Sequence, residues 1–311
     1  MQEYDNAIAK YKQVLEESPS EVHAMYELAF TYYSKKDHQN ALALARRGAQ
    51  YRTELLPRFY EVLGNSLDDL GKRAEAIDVF KAATKQAPGT AMLHFNLGLA
   101  LTRSGKYRDA KKVIQQSVSL DPNHASSPYL LANIYNEMGY RVPAILALSR
   151  FLLIEPASPR SKEALLMLDR LIGAGVTTGT QSNQINITLA LSPESNKDEG
   201  DFDAVDLAMS ISIAAMQIET KEHENSKFQL LAATYGAMAE VLARTKGNGF
   251  AARYYAPFFA EMDKQGFIQA FVHSAFQAGQ PAGSDEWAKE NEGKLSDFQA
   301  WLSAYRWRAA K

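Results

Sequence analysis

Few side chains in this sequence are placed to do chemistry. There is no cysteine, which excludes a thiolate nucleophile, a disulfide and a thiolate metal site. The six histidines, His23, His38, His94, His124, His223 and His273, are scattered and never form the HExxH pair that would hold zinc from one helix face. No GxSxG elbow and no GxxxxGK[ST] phosphate loop occurs. His94 lies on the packing side of its helix, where a core histidine is expected rather than a ligand. The run Asp198, Glu199, Asp201, Asp203, Asp206 has the density of a calcium loop. It lacks the ligand order and the closing Glu. It is expected to be a solvated loop that leads into a helix whose start favours negative charge; a cation there is the alternative. Asn186-Ile187-Thr188 matches a glycosylation sequon by pattern only. No metal or cofactor is expected.

Composition narrows the classes further. The chain has 311 residues, 46% of them apolar, and a formal net charge of −2. That supports a sizeable core and one to three domains, and it disfavours nucleic acid as a partner. No apolar run reaches the roughly 18 residues needed to span a bilayer, and no secretory signal pattern opens the sequence. The first 175 residues carry a small excess of basic side chains and the remainder a small excess of acidic ones; docking of one half on the other and plain surface charge both explain this. The compartment stays open: cytoplasmic, or periplasmic or secreted if a signal was removed.

The elements that must position any site come from a repeat. Residues 88–122 read as two amphipathic helices joined at Ser104-Gly105-Lys106, and residues 122–156 repeat the plan at the same spacing. Asn96-Leu97-Gly98, Leu101, Gly105, Tyr107, Ala110, Ile114 and Asp121-Pro122 stand where the tetratricopeptide repeat places its packing residues, and the sequence resembles that family. The physical logic is that of a helical solenoid: each hairpin has one apolar face too many, and stacking neighbours closes the core. Gly98 and Ala110 are small where helices approach closely, Gly105 supplies the left-handed helix end, and Pro122 stops the next helix. The resemblance implies an all-α fold, a right-handed superhelix of helical hairpins over residues 1–175, followed by an α-helical C-terminal domain.

Taken in order, residues 1–19 match only the second helix of a repeat, through Tyr4, Ala7, Tyr11, Leu15 and Pro19. The natural chain is therefore expected to be longer at its N-terminus; a natural cap is the alternative. Full units follow from Ser20 to Thr53, then, after a one-residue insertion, from Pro57 to Pro88, and then the two already described. The fifth has Pro143 near the start of its second helix, where proline is tolerated. Ser158-Pro159 caps a closing helix. Residues 176–202 form a linker containing one possible short strand, INITLAL. Residues 203–311 form a second domain with helices over 203–219, 226–245, 250–263, 265–278 and 284–307, the first apolar on nearly every side and so expected to be buried all round. This half resembles helical regions that follow such repeats in bacterial proteins, and that likeness carries no activity.

In the family that the repeats resemble, first helices line a concave trough. Helical spacing then puts Tyr26, Phe30 and Tyr33 on it from one unit, Arg58, Glu61, Asn65, Asp68 and Asp69 from the next. Met92, Phe95, Leu99 and Arg103 follow, and then Tyr129, Asn133 and Asn136. Such aromatics give contact area at low entropy cost, and asparagine pairs with both polar groups of a peptide backbone. Burial of this chain's own C-terminal half in the trough is the alternative. One subclass of the family clamps acidic chaperone tails with two asparagines and three basic residues. Asn65 and Asn96 match the asparagines, but Glu61, Ser126 and Leu130 occupy the basic places, so that specificity is not expected. The reading is a protein-interaction scaffold that binds a partner protein or an extended peptide, without catalysis. Its alternatives are an enzyme with its site in the C-terminal domain and a structural protein that self-associates through the N-terminal half-repeat.

Overall fold

The computed structural model describes residues 2–178, 185–188, 198–219, 227–245 and 247–307. The fold is all-α. The helices that run through the repeats are α1 (Gln2–Glu17), α2 (Val22–Ser34), α3 (His38–Gly48), α4 (Leu56–Asp69), α5 (Arg73–Gln86), α6 (Ala91–Arg103), α7 (Tyr107–Leu120), α8 (Ser126–Glu137), α9 (Arg141–Ile154) and α10 (Pro159–Gly173). Beyond them come α11 (Asp203–Glu219), α12 (Lys227–Leu242), a π-helical turn (Ala251–Tyr255), α13 (Ala256–Lys264), α14 (Ile268–Ala275), α15 (Ser284–Glu290) and α16 (Glu292–Ala304). The chain divides into two compact units, Met1–Asp121 and Pro122–Lys311.

In the first unit the repeat is written in glycine. A Cβ on Gly64 would sit 2.3 Å from the Phe80 ring, and one on Gly98 would sit 2.3 Å from Ile114 Cδ1. The same close approach recurs one repeat later, so any larger side chain would have to push α4 from α5 or α6 from α7. The turns repeat as well: Gly71, Gly105 and Gly139 have φ of 76°, 70° and 76°, the left-handed region that glycine enters without penalty. One unit earlier the left-handed turn residue is Lys36, at φ 63°. It falls one residue off the 34-residue period because of the insertion noted above.

The second unit is built around α9, in which every residue from Val142 to Leu152 is buried. It packs against α8, α10, α11, α14 and the π-helical turn. The hairpin α8–α9 and helix α10, which the repeat period groups with residues 1–175, thus share one compact unit with the C-terminal helices. Tyr235 of α12 is fully buried and shares a 2.6 Å hydrogen bond with Ser149 of α9. Its ring packs on Phe259, Phe271 and Phe276.

Three expectations are corrected. Helix α11 is not buried all round: Leu207 and Ile211 are exposed, and the helix sheathed on all sides is α9. Residues 284–307 are not one helix, because Asn291 breaks them; its side chain donates to the Trp287 carbonyl at 2.8 Å and ends α15. The single strand is a two-stranded antiparallel hairpin, β1 (Val176–Thr178) with β2 (Ile185–Ile187). Part of INITLAL and most of the acidic loop lie outside the described residues.

Two members of the acidic run are not solvated. Glu199 is 3% exposed and accepts from the Tyr135 hydroxyl at 2.8 Å and the Ala251 amide at 3.0 Å. Asp206 pairs with Arg141 at 2.6 Å, while Asp198 accepts from the Tyr140 hydroxyl at 2.7 Å. Their negative charge tethers segments to one another. Among the described residues no group of three or more His, Asp and Glu is placed to hold a metal ion. His94 is buried, with Nε2 3.0 Å from the Pro88 carbonyl.

Candidate peptide-binding face

Helices α2, α4 and α6 neighbour one another in the first unit, because each is the first helix of its hairpin and the second helices pack behind. They carry twelve of the fifteen residues that helical spacing puts on the trough. Phe30 is 46% exposed and stacks on the half-buried Tyr26, with ring centroids 6.0 Å apart. Tyr26 in turn meets the buried Phe59 edge-on at 5.7 Å, and the Arg58 guanidinium lies 5.7 Å from the Tyr26 ring. This aromatic ledge is held from below: Phe59 fills the space over Gly48, where a Cβ would come within 2.0 Å of its ring. A side chain as large as Phe30 is thus presented to solvent on a rigid base.

The other end of the face is polar. Asp68 is buried to 9% exposure and joins Arg73 at 2.8 Å and Arg103. Arg103 therefore binds α6 to α4. Burial pushes the Tyr33 hydroxyl up to about 12, helped by the Asp69 carboxylate beside it. At neutral pH Tyr33 remains a hydrogen-bond donor. Glu61, half-buried between the two ends, has its carboxyl raised by loss of water, against the pull of Arg58. Asn65, Phe95 and Leu99 are half-buried and Met92 is 38% exposed on the same first helices.

Tyr129, Asn133 and Asn136 belong to the second unit, on α8. Tyr129 packs on Phe151 at 4.8 Å, under the Arg160 guanidinium, and its hydroxyl donates to Glu163 at 3.3 Å. The Asn133 amide donates to the Tyr129 carbonyl at 2.8 Å, so one of its donors is used within its own helix. Asn136 is exposed. Asp68 and Phe59 complete the face in the first unit. The sequence named Asp68 as a groove position and gave no sign of Phe59, a buried residue whose role is to set Tyr26.

Residues 1–53 and 62–125 match the family model of the tetratricopeptide repeat. Among solved structures, MamA is 22% identical, with 49% of this chain and 89% of that one covered and a TM-score of 0.44. TTC0263, a thermophilic TPR protein in Thermus thermophilus, is 23% identical over 54% of this chain and 90% of its own, TM-score 0.44. YrrB, described as a TPR protein with an unusual peptide-binding site, is 22% identical over 54% and 84%, TM-score 0.44. No curated protein matches the sequence.

Proposed function

We propose that the α2–α4–α6 face, in residues that match the family model of the tetratricopeptide repeat, a family of protein-interaction scaffolds, holds an extended segment of a partner protein without catalysing a reaction. The observation that carries this reading is Phe30, a large apolar side chain left 46% exposed on a base of Tyr26 and Phe59. A rigidly held aromatic of this kind supplies contact area at low entropy cost. Asn65 adds a donor and an acceptor that an extended backbone can use, and Glu61 disfavours an acidic residue opposite it. The preferred segment is apolar or aromatic with few acidic side chains. Because the contact is mainly area, binding weakens little with salt.

A random peptide library displayed on phage tests this. Peptides recovered on the native chain and titrated against Phe30→Ala are expected to lose about tenfold or more in affinity, as a truncated aromatic anchor does. Tyr33→Phe is expected to lose less. Equal affinity for the native chain and Phe30→Ala would remove this face as the site.

A further inference from the structure

A second site lies in the other unit, around a buried arginine. Arg150 of α9 is 4% exposed. Its Nη2 donates to the Pro122 carbonyl at 2.8 Å and to Asn123 Oδ1 at 3.1 Å, and its guanidinium lies 4.4 Å from the Trp307 ring. Among the described residues its Nε has no hydrogen-bond partner, and no carboxylate pairs with it. Burial lowers its affinity for its proton, and the groups that act the other way are the Tyr254 and Tyr255 hydroxyls, not an acid. Buried cations are normally paired, so this one is an exception that calls for a counter-charge.

The space beside it is suited to one. A cleft of about 610 Å³ opens onto Arg150 and also touches Arg306, which is exposed at its rim. Among the described residues no acidic side chain lines it. Its walls are mixed: Asn123 and Ser303 add polar groups beside the apolar and aromatic side chains of Leu153, Ile154, Leu302, Tyr305 and Trp307. That volume is in the range of small-molecule sites.

We propose that this cleft binds an organic carboxylate with an apolar body, the carboxylate meeting Arg150 and Arg306 and the body lying on Leu153, Leu302 and Trp307. The Arg150 Nη2 hydrogens are already taken by Pro122 and Asn123, so the carboxylate meets Nη1, in a charge-assisted bond stronger than a neutral one. Inorganic phosphate fits less well, since it needs more cationic donors than one buried and one rim arginine supply. A free acid and the C-terminus of a peptide share this chemistry.

Titration calorimetry on the full chain separates the outcomes. The probes are 3-phenylpropionate, N-acetyl-alanyl-leucine, the amide of that dipeptide, and inorganic phosphate. At least one of the acids is expected to bind one per chain, with the dipeptide amide about tenfold or more weaker than the dipeptide acid. Arg150→Lys keeps the charge, loses the planar guanidinium held on Trp307 by Pro122 and Asn123, and is expected to weaken the acid about tenfold. Arg306→Gln, an exposed change that leaves the fold intact, is expected to weaken it a few-fold. Tighter binding of the dipeptide assigns the site to peptide termini, and tighter binding of 3-phenylpropionate assigns it to small acids. The proposal is overturned if neither acid binds, if the dipeptide acid binds and its amide binds as tightly, or if phosphate binds as tightly as the acids. Binding at the Phe30 face is unaffected by either arginine variant, so the two sites fail separately.

Discussion

Arg141→Ala is expected to destabilise the second unit by about 3–5 kcal/mol, the range for removing one partner of a buried ion pair. The side chains of Arg141 and Asp206 are 15% and 10% exposed. The same guanidinium donates to the carbonyls of Leu171 at 2.7 Å and Ile172 at 2.9 Å, where α10 ends. Its loss leaves a carboxylate and two helix-end carbonyls without that donor. The deficit is expected to depend on pH. Burial raises the Asp206 carboxyl above its usual value and Arg141 pulls it back. Without Arg141 the folded-state value rises further. An acid whose folded value is raised contributes most stability below the unfolded value and loses it as pH climbs through the folded one. The variant is therefore closest to the native protein at about pH 4 and furthest from it near pH 7. Urea unfolding at both pH values checks the sign. A pH-independent deficit under about 1 kcal/mol, the size for exposed pairs, would mean that the pair is solvated.

Tyr235→Ala is the second large effect, at about 3–5 kcal/mol, the cost of deleting a buried aromatic. The ring joins α12 to Phe259, Phe271 and Phe276, and its hydroxyl reaches α9 through Ser149. Tyr235→Phe is expected to be much milder. Ser149 also reaches the Ile145 carbonyl at 2.7 Å, so its hydroxyl keeps a partner. Amide hydrogen exchange read at α9 distinguishes the two. Tyr235→Ala should speed exchange there, although α9 belongs to the repeat pattern and Tyr235 does not. Unchanged protection of α9 would show that α8 and α10 suffice to hold it.

The repeat part of the fold was legible because its geometry demands particular residues at fixed intervals. Gly64 and Gly98 are needed wherever a ring or an isoleucine crosses a backbone, and Gly71, Gly105 and Gly139 wherever a turn is left-handed. The C-terminal helices lack such a period. Their order was still readable from apolar spacing, but burial was not. α9 and α11 are both rich in apolar residues, and only the surrounding elements decide that the first is sheathed and that Ile211 of the second faces water. Three-residue strands such as Val176–Thr178 are too short to show alternation. In the candidate site, exposed aromatics were readable as types on a face. Pairings were not: that Arg103 is held by Asp68, and Asn133 by its own helix, depends on rotamers that spacing does not fix.

The sheathing of α9 has a consequence for the order in which the chain is made. Its apolar surface is covered on one side by α14. At about 5–20 residues per second, the roughly 120 residues between the end of α9 and the end of α14 take about 6–24 s to synthesise. During that interval a helix with no polar face waits for its cover, whereas α2 to α7 each find a partner in their own or a neighbouring hairpin at once. Newborn chains halted just past Ile154 should therefore be captured by chaperones, and chains halted just past Asp121 should not; equal capture of both would place the exposed interval elsewhere.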